Sequence, residues 1–241
     1  MILATLKTAN PDGQLIAVSG DHKRYVNIEG PVSSLLGATE NWDSSNAKLQ
    51  DASGQLEQGG GDPLDVSQLA APMPRSWQWL DGSAFSTHGE LMQIAFGLDP
   101  IDTDRPLMYQ GVSDRFFGPT EDVPLPSMEH GIDFEGEFGV IVDHVPMGTS
   151  AEDAMQHIKL IVQINDWSLR AIAPVEMKTG FGWVQAKPAC SMAPFAVTPD
   201  ELGEGWKDGR VCLDLEIDLN GERRGYGLRL PRASCPCCLD P

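Results

Sequence analysis

A short run of acidic residues is the first feature of this sequence that could do chemistry. Asp133, Glu135 and Glu137 stand at every second position of the stretch 132–142. Because successive side chains of a β-strand point to opposite faces, a strand here would place the three carboxylates on one face. The other face would carry the apolar residues Phe134, Phe138, Val140 and Val142, packed behind the acidic set.

Neighbouring carboxylates on a strand destabilise it unless their charge is neutralised. A hard divalent cation does this, because Mg²⁺, Mn²⁺ and Ca²⁺ prefer carboxylate oxygens as ligands. The alternative is an edge strand with one solvated acidic face, which is the ordinary explanation of an isolated Glu-x-Glu pair. The run alone therefore leaves both interpretations open.

The composition limits the classes of function. The chain has 241 residues, of which 41% are hydrophobic and 22% charged, as in soluble globular proteins. Its formal net charge of −18 argues against a nucleic-acid partner and against docking on an anionic membrane. We find no apolar run near the ~20 residues that cross a membrane and no secretory signal, and we expect a cytoplasmic protein.

The five cysteines give no clear metal motif. Cys190 and Cys212 lie in ordinary sequence and are expected to be reduced, inert and partly buried. Cys235, Cys237 and Cys238 form a cluster that could bind a soft metal. It lacks a second ligand pair or a spaced histidine, which favours a structural or accidental origin.

Residues 1–70 are predicted to form a small N-terminal domain. It would contain a strand at 15–18 after the turn at 10–13, helical segments within 30–56, and a flexible glycine-rich linker at 59–63. The main domain would occupy residues 71–224. The sequence thus indicates an α+β protein that is rich in strands.

Within the main domain the expected elements follow from periodicity and capping signals. Thr87 and Glu90 fit a capping box, so a helix is predicted from residue 87 to 95. Further predictions are a long loop at 100–120, a strand at 132–142, a helix starting at 150, a strand at 160–164 and a half-buried strand at 211–220. Asn220-Gly221 is a hairpin signal, yet no alternation continues beyond about residue 224, and no returning strand is predicted.

Four other residues could take part in chemistry with the acidic run. Asp81 and Asp166 add carboxylates, and Asp166 follows an apolar strand, where an uncompensated charge is costly. His88 stands at a predicted helix N-terminus, whose dipole favours the neutral imidazole that a general base needs. Taken singly, Asp166 could be a turn residue, His88 a surface histidine and Lys187 a surface lysine.

Together these residues resemble the fumarylacetoacetate hydrolase family, in the bacterial form that carries a small N-terminal domain. The likeness extends over about residues 1–224, and the motifs keep the order and spacing of the family. They are Asp81-Gly82-Ser83-x-Phe85-x-x-His88, Asp133-x-Glu135-x-Glu137, Asn165-Asp166-Trp167-Ser168-x-Arg170, and Lys187-Pro188 with the run 193–203.

The resemblance implies a mixed β-sandwich roll, a homodimer and one divalent cation, Mg²⁺, Mn²⁺ or Ca²⁺, in each site. It implies hydrolysis of a C–C bond in a 1,3-diketo acid such as fumarylacetoacetate, in the breakdown of tyrosine or other aromatic compounds. By position, His88 matches the water-activating base and Lys187 a lysine near metal and substrate. The metal carboxylates correspond to Asp81, Glu135, Glu137 and Asp166, and the positions near the substrate to Tyr109, Arg170 and Lys187.

The sequence departs from the family in two places. Ala171 and Ala173 stand where the family commonly has an acidic residue and a glutamine near the substrate. The family also continues beyond the end of this chain, so we expect a truncation or frame shift near residue 224, with residues 225–241 as an aberrant tail. Two alternatives stay open: decarboxylation of oxaloacetate or isomerisation of a keto acid at the same metal site, and an inactive fragment.

Overall fold

The computed structural model describes residues 1–82, 94, 99 and 107–226 of the chain. Apart from Ile94, the helix predicted over 87–95 lies outside the described residues. So do His88, the three-cysteine cluster at 235–238 and most of the predicted tail.

Short strands make up most of the regular structure. The α-helices are α1 (Leu35–Glu40), α2 (Trp42–Glu57), α3 (Ala151–Ala154) and α4 (Ala173–Thr179), and 3-10 turns span Val66–Gln68, Met128–His130, Met155–His157 and Pro199–Gly205. The strands are β1 (Ile2–Leu6), β2 (Gln14–Val18), β3 (Arg24–Asn27), β4 (Asp62–Pro63), β5 (Leu80–Gly82), β6 (Met108–Gln110), β7 (Ile132–Asp133), β8 (Gly136–Val142), β9 (Ile158–Asn165), β10 (Ser168–Leu169), β11 (Ser191–Val197), β12 (Trp206–Lys207), β13 (Arg210–Val211), β14 (Glu216–Leu219) and β15 (Glu222–Tyr226).

One antiparallel sheet of seven strands organises the described part of the chain, in the order β4-β3-β2-β1-β11-β9-β8. Its centre is the pairing of β1 with β11, in which Ile2 lies opposite Val197 and Leu3 opposite Ala196. Strands almost 200 residues apart in the sequence therefore share one sheet. The predicted α+β, strand-rich class is confirmed, whereas the division into domains at residue 70 stays a prediction.

The helical segment predicted within 30–56 divides into two helices. The Ser34 side chain accepts a hydrogen bond from the Gly37 amide and starts α1, which is N-cap chemistry. In α2 the buried residues Leu49, Ala52 and Leu56 recur at spacings of three and four and form the apolar stripe of the helix. They join the same core as Leu160 and Val162 of β9, and as Leu3 and Leu15 of the N-terminal strands.

The acidic segment differs from the single strand that was predicted at 132–142. Its first part, β7, pairs with β10, and its second part, β8, pairs with β9. The chain changes partner at residues 134–135, where the Asp166 amide donates to the Glu135 carbonyl and the Glu135 amide to Asn165 Oδ1. This break places Asp133 and Glu137 on two different strands.

The predicted orientation of the apolar residues in β8 is wrong. Val140 is 50% exposed and Val142 is also exposed, whereas Ile141 is buried in the core. Glu135, Glu137 and Ile141 are separated by even numbers of residues, so their side chains lie on the same side of the strand. The face that carries the acidic residues is therefore also the face that packs on the core. The carboxylates consequently point into the protein rather than toward solvent.

Three smaller predictions need correction. The loop predicted at 100–120 contains β6, and the strand predicted at 211–220 is reduced to β13 and β14, with Leu213 exposed between them. A strand does return after Asn220-Gly221, because β14 and β15 pair across that turn. Asn220 and Gly221 both have positive φ, as a two-residue hairpin requires.

Candidate metal centre

Three strands and the segment after β9 bring the predicted site residues together. In the β5–β6 pair, Asp81 lies opposite Tyr109. In the β8–β9 pair, Glu137 lies opposite Ile164, two residues before Asp166. Backbone hydrogen bonds of the two pairs position Asp81 and Glu137, and the bond from the Asp166 amide to the Glu135 carbonyl holds Asp166 beside them.

Asp81, Glu137 and Asp166 form the acidic centre of the site. Each offers a carboxylate oxygen, and the three oxygens lie within 4.8 Å of one another. Asp166 is only 1% exposed, and the other two side chains are partly buried. Three carboxylates that are distant in sequence thus converge on a volume the size of one ion.

Lys187 is the cation that contacts this centre within the described residues. Its Nζ donates to Asp166 Oδ2 at 2.5 Å and to Glu135 Oε2 at 3.1 Å. The Tyr109 hydroxyl donates to the same Asp166 Oδ2 at 2.8 Å, and the ammonium lies 5.7 Å from the centre of the tyrosine ring. Asp166 is therefore held by two donors on one oxygen.

Glu135, the fourth predicted metal carboxylate, is engaged by positive and polar partners. In addition to Lys187, Arg170 Nη2 lies 2.5 Å from Glu135 Oε1, and the Ser168 hydroxyl donates to the same oxygen at 3.1 Å. Arg170 Nε also bonds Asp133 Oδ2 at 2.9 Å. Glu135 lies beside the three-carboxylate centre, and Lys187 and Arg170 compensate its charge. Arg170 contacts the site by its ion pairs with Glu135 and Asp133.

Burial and the crowding of negative charge both act on the carboxyl groups of the centre. Burial, and then the charges of Asp81, Asp166 and Glu135, raise the pKa of Glu137 to about 8. Burial and the neighbouring Asp166 raise the pKa of Asp81 to about 6. Burial alone would lower the pKa of Lys187, but attraction to Asp166 and Glu135 raises it, so this side chain stays charged.

A divalent cation fits this arrangement. Two carboxyl groups with raised pKa values face a third, and among the described residues Lys187 is the cation that contacts them; a bound divalent cation would remove the remaining repulsion. The donors are all carboxylate oxygens, which are the ligands of Mg²⁺, Mn²⁺ and Ca²⁺. Asp81, Glu137 and Asp166 would hold the ion, with Glu135 adjacent.

Cys190 and Ser168 contact the site and were not singled out from the sequence. The buried Cys190 thiol donates to Asp166 Oδ1 at 3.1 Å, on the oxygen that Lys187 and Tyr109 leave free. Burial and the charge of Asp166 raise the pKa of the thiol, so it stays protonated and remains a donor. Ser168 lies inside a family motif, but no sequence signal marked Cys190 as more than a buried thiol.

The chain resembles known proteins over most of its length. Residues 78–227 match the family model of the fumarylacetoacetate (FAA) hydrolase C-terminal domain, and residues 1–75 match fumarylacetoacetase N-terminal domain 2. A curated relative, the 2,4-didehydro-3-deoxy-L-rhamnonate hydrolase of Sphingomonas sp. (strain SKA58), is 30% identical over 131 residues. The matched stretch is 53% of this chain and 43% of the relative, so the chain spans less than half of that protein.

Solved structures share the fold. The maleylpyruvate hydrolase of Sphingobium sp. SYK-6, in complex with manganese(II) and pyruvate, superposes with a TM-score of 0.62 and 17% identity, over 93% of this chain and 75% of that one. For the fumarylacetoacetate hydrolase of Exiguobacterium antarcticum the TM-score is 0.59 and the identity 16%, over 94% and 75% of the two chains. The 5-carboxymethyl-2-hydroxymuconate delta-isomerase of Mycobacterium smegmatis gives 0.55 and 18%, over 93% and 73%.

The likeness in fold agrees with the sandwich-type fold that the sequence motifs implied. Within the described residues, no helix is both long and apolar enough to span a membrane. The family model alone covers more than half of the chain, and its motifs supply the residues of the acidic centre. The chain therefore belongs to the fumarylacetoacetate hydrolase family.

Proposed function

We propose that this protein is a divalent-metal-dependent hydrolase that cleaves a C–C bond in a 1,3-diketo acid of the fumarylacetoacetate type. The observation that carries the proposal is the convergence of Asp81, Glu137 and Asp166 beside the ammonium of Lys187. A bound Mg²⁺ or Mn²⁺ would supply Lewis acidity toward the paired oxygens of such a substrate.

The reaction adds water across one C–C bond. The water oxygen bonds to the carbonyl carbon, the bond from that carbon to the central methylene breaks, and its electron pair leaves as an enolate. Return of a proton to the methylene carbon gives a carboxylic acid and a ketone. Atoms and charge balance with one water consumed.

The chain's own groups would take three roles. Lys187 keeps its ammonium charged in a buried place, where it stabilises the negative charge that develops on the departing enolate. His88, which the family motif assigns as the base, would take the proton from water. Arg170 and Tyr109 border the site, and in the structure both bond its carboxylates.

The direct test is loss of the diketone absorbance when the purified protein is mixed with an acylpyruvate. We expect turnover with added Mg²⁺ or Mn²⁺, none with EDTA, and a loss of at least about 100-fold in Lys187→Met. Lys207→Met, at an exposed lysine of β12, is the matched control and should retain full activity.

Two results would redirect the proposal. Release of CO₂ from oxaloacetate without diketone cleavage would favour the decarboxylase alternative. Metal binding without turnover of either substrate would favour an inactive member of the family.

A further inference from the structure

A carboxylate outside the acidic centre clamps the segment that leads into Lys187. Glu176 lies in α4, and its two oxygens accept hydrogen bonds from three consecutive backbone amides. The distances are 3.2 Å from Val184, 2.8 Å from Gln185 and 2.9 Å from Ala186. The next residue in the chain is Lys187.

Few other contacts order the first part of this loop. Phe181 and Val184 are 91% and 71% exposed, so burial of apolar surface contributes little there, whereas Ala186 at the end of the loop is fully buried. Gly180 and Gly182 both have positive φ, a backbone conformation that glycine adopts without strain. Beyond Glu176, the backbone bond from the Leu169 amide to the Ala186 carbonyl, 2.8 Å long, ties the loop to β10.

Trp183 and Lys187, on either side of the clamped amides, both contact residues of the site. Lys187 reaches Asp166 and Glu135 with its ammonium. Trp183 packs edge-on against the Tyr109 ring, with 6.1 Å between ring centres, and the Tyr109 hydroxyl bonds Asp166. A shift of residues 183–187 would move Lys187, which holds Asp166 Oδ2, and would withdraw the Trp183 ring from Tyr109, the second donor to that oxygen.

Glu176 is suited to this task because it remains ionised. Desolvation opposes its charge, but the three amide bonds outweigh desolvation and lower the pKa of the carboxyl below its ordinary value. A carboxylate that accepts several amide hydrogens forms charge-assisted bonds, which are stronger than neutral ones. The clamp is thus formed across the neutral pH range.

We propose that Glu176 is a positioning residue of the active site, which holds the backbone of residues 184–186 and thereby fixes the ammonium of Lys187 and the ring of Trp183. It touches neither the acidic centre nor, in this account, the substrate. The effect of Glu176 on catalysis rests on the proposed function, whereas its effect on the position of Lys187 does not.

Hydrogen exchange tests the clamp without any substrate. In the wild-type protein the amides of 184–186 should exchange slowly although Val184 and Gln185 lie at the surface. Glu176→Gln removes the charge and one acceptor oxygen, and protection of these amides should fall at least about tenfold. The amides of β9 are the internal control, and Glu57→Gln, at an exposed position of α2, is the matched control; both should keep wild-type protection.

The position of Lys187 has its own readout. Because this side chain is buried and ion-paired, it should be acetylated slowly by acetic anhydride, and in Glu176→Gln its rate should rise about tenfold while that of Lys207 is unchanged. Unchanged protection at 184–186, or unchanged reactivity of Lys187 despite lost protection, would overturn the proposal. If Glu176→Gln fails to fold, Glu176→Asp, which keeps the charge on a shorter side chain, should show the same local changes in smaller degree.

Kinetics separate positioning from a merely structural role. With the acylpyruvate, Glu176→Gln should lower kcat about tenfold and leave KM within about twofold, because the ammonium acts on charge that develops after binding. Equal kcat values in both proteins would overturn the catalytic part. If the wild-type protein does not cleave the diketone, the proposed function fails, yet exchange and acetylation still decide whether Glu176 positions Lys187.

Discussion

At the scale of single residues, burial and the charges of Asp81, Asp166 and Glu135 all disfavour the ionised form of Glu137. Its pKa of about 8 in the folded protein lies above its ordinary value of 4.5. A carboxyl whose pKa is raised by folding contributes stability that is complete below the unfolded value and is lost as pH rises through the folded value. The metal-free protein should therefore lose stability between pH 5 and 8.

Glu137→Gln should remove most of that pH dependence. With EDTA present, we expect the free energy of unfolding of the wild-type protein to fall from pH 5 to pH 8, by up to about 1.4 kcal/mol per pH unit. The variant should show a flatter profile and should be the more stable of the two at pH 8. Urea titrations at four pH values measure this, and identical slopes in the two proteins would contradict it.

Cys190 offers a second prediction at this scale, because its thiol is the donor on the far oxygen of Asp166. Cys190→Ala leaves that buried oxygen without this bond and should weaken Mn²⁺ binding about tenfold, since groups that orient metal ligands commonly contribute this much. Cys190→Ser keeps a donor and should stay within about threefold of the wild-type affinity. Calorimetric titration decides, and equal weakening by both substitutions would show that the hydrogen bond is not the cause.

The sequence pointed to the three carboxylates of the acidic centre but not to the residues that contact them. The convergence of Asp81, Glu137 and Asp166 could be expected because carboxylates at strand positions and in family motifs are visible in the sequence, whereas their role as metal ligands stays a prediction. Cys190 and Glu176 were missed because their roles are contacts across the fold, with a carboxylate 24 residues away and with backbone amides. A hydrogen bond to a backbone amide cannot be recognised from the sequence, because every residue except proline has such an amide.

At the scale of elements, β9 connects the core to the site. Leu160 is fully buried in the core, and Asp166 follows the end of the same strand. Leu160→Ala should lower the free energy of unfolding by 2–5 kcal/mol (roughly, as for other buried leucines), because it removes contacts and leaves a cavity.

The facing strand provides the matched control for this prediction. Val140 of β8 lies opposite Ile161 but is half exposed, so Val140→Ala should cost less than about 1 kcal/mol. Both values come from urea denaturation. A loss as large in Val140→Ala as in Leu160→Ala would mean that the buried face of the sheet is assigned wrongly.

Strands could be predicted where a run of apolar residues in the sequence is also buried in the structure. The strand predicted at 15–18 gives four of the five residues of β2, and the strand predicted at 160–164 gives the apolar centre of β9, because buried strands are recognised from their composition. The alternation at 211–220 was misleading, since a regular pattern states which residues share a face but not whether a partner strand exists. The return of β15 was missed for the opposite reason: its pairing rests on backbone bonds and a turn, with little alternation.

At the scale of the whole molecule, the sheet is continuous across regions that the sequence separates. β1 hydrogen-bonds to β11 almost 200 residues later, and the core includes Leu15 and Leu49 together with Leu160. No local pattern predicts a pairing at such separation. The motifs of the family located the site, and the pairing of distant strands explains why its residues meet.

The proposed function depends on the binding of one divalent cation by Asp81, Glu137 and Asp166. This binding is tested most directly by titrating the metal-free protein with Mn²⁺, following free Mn²⁺ by electron paramagnetic resonance. We expect one saturable site in the wild-type protein, an affinity at least about 100-fold weaker in Glu137→Gln, and wild-type affinity in Glu57→Gln. Absence of saturable binding in the wild-type protein, or equal affinity in Glu137→Gln, would contradict the account.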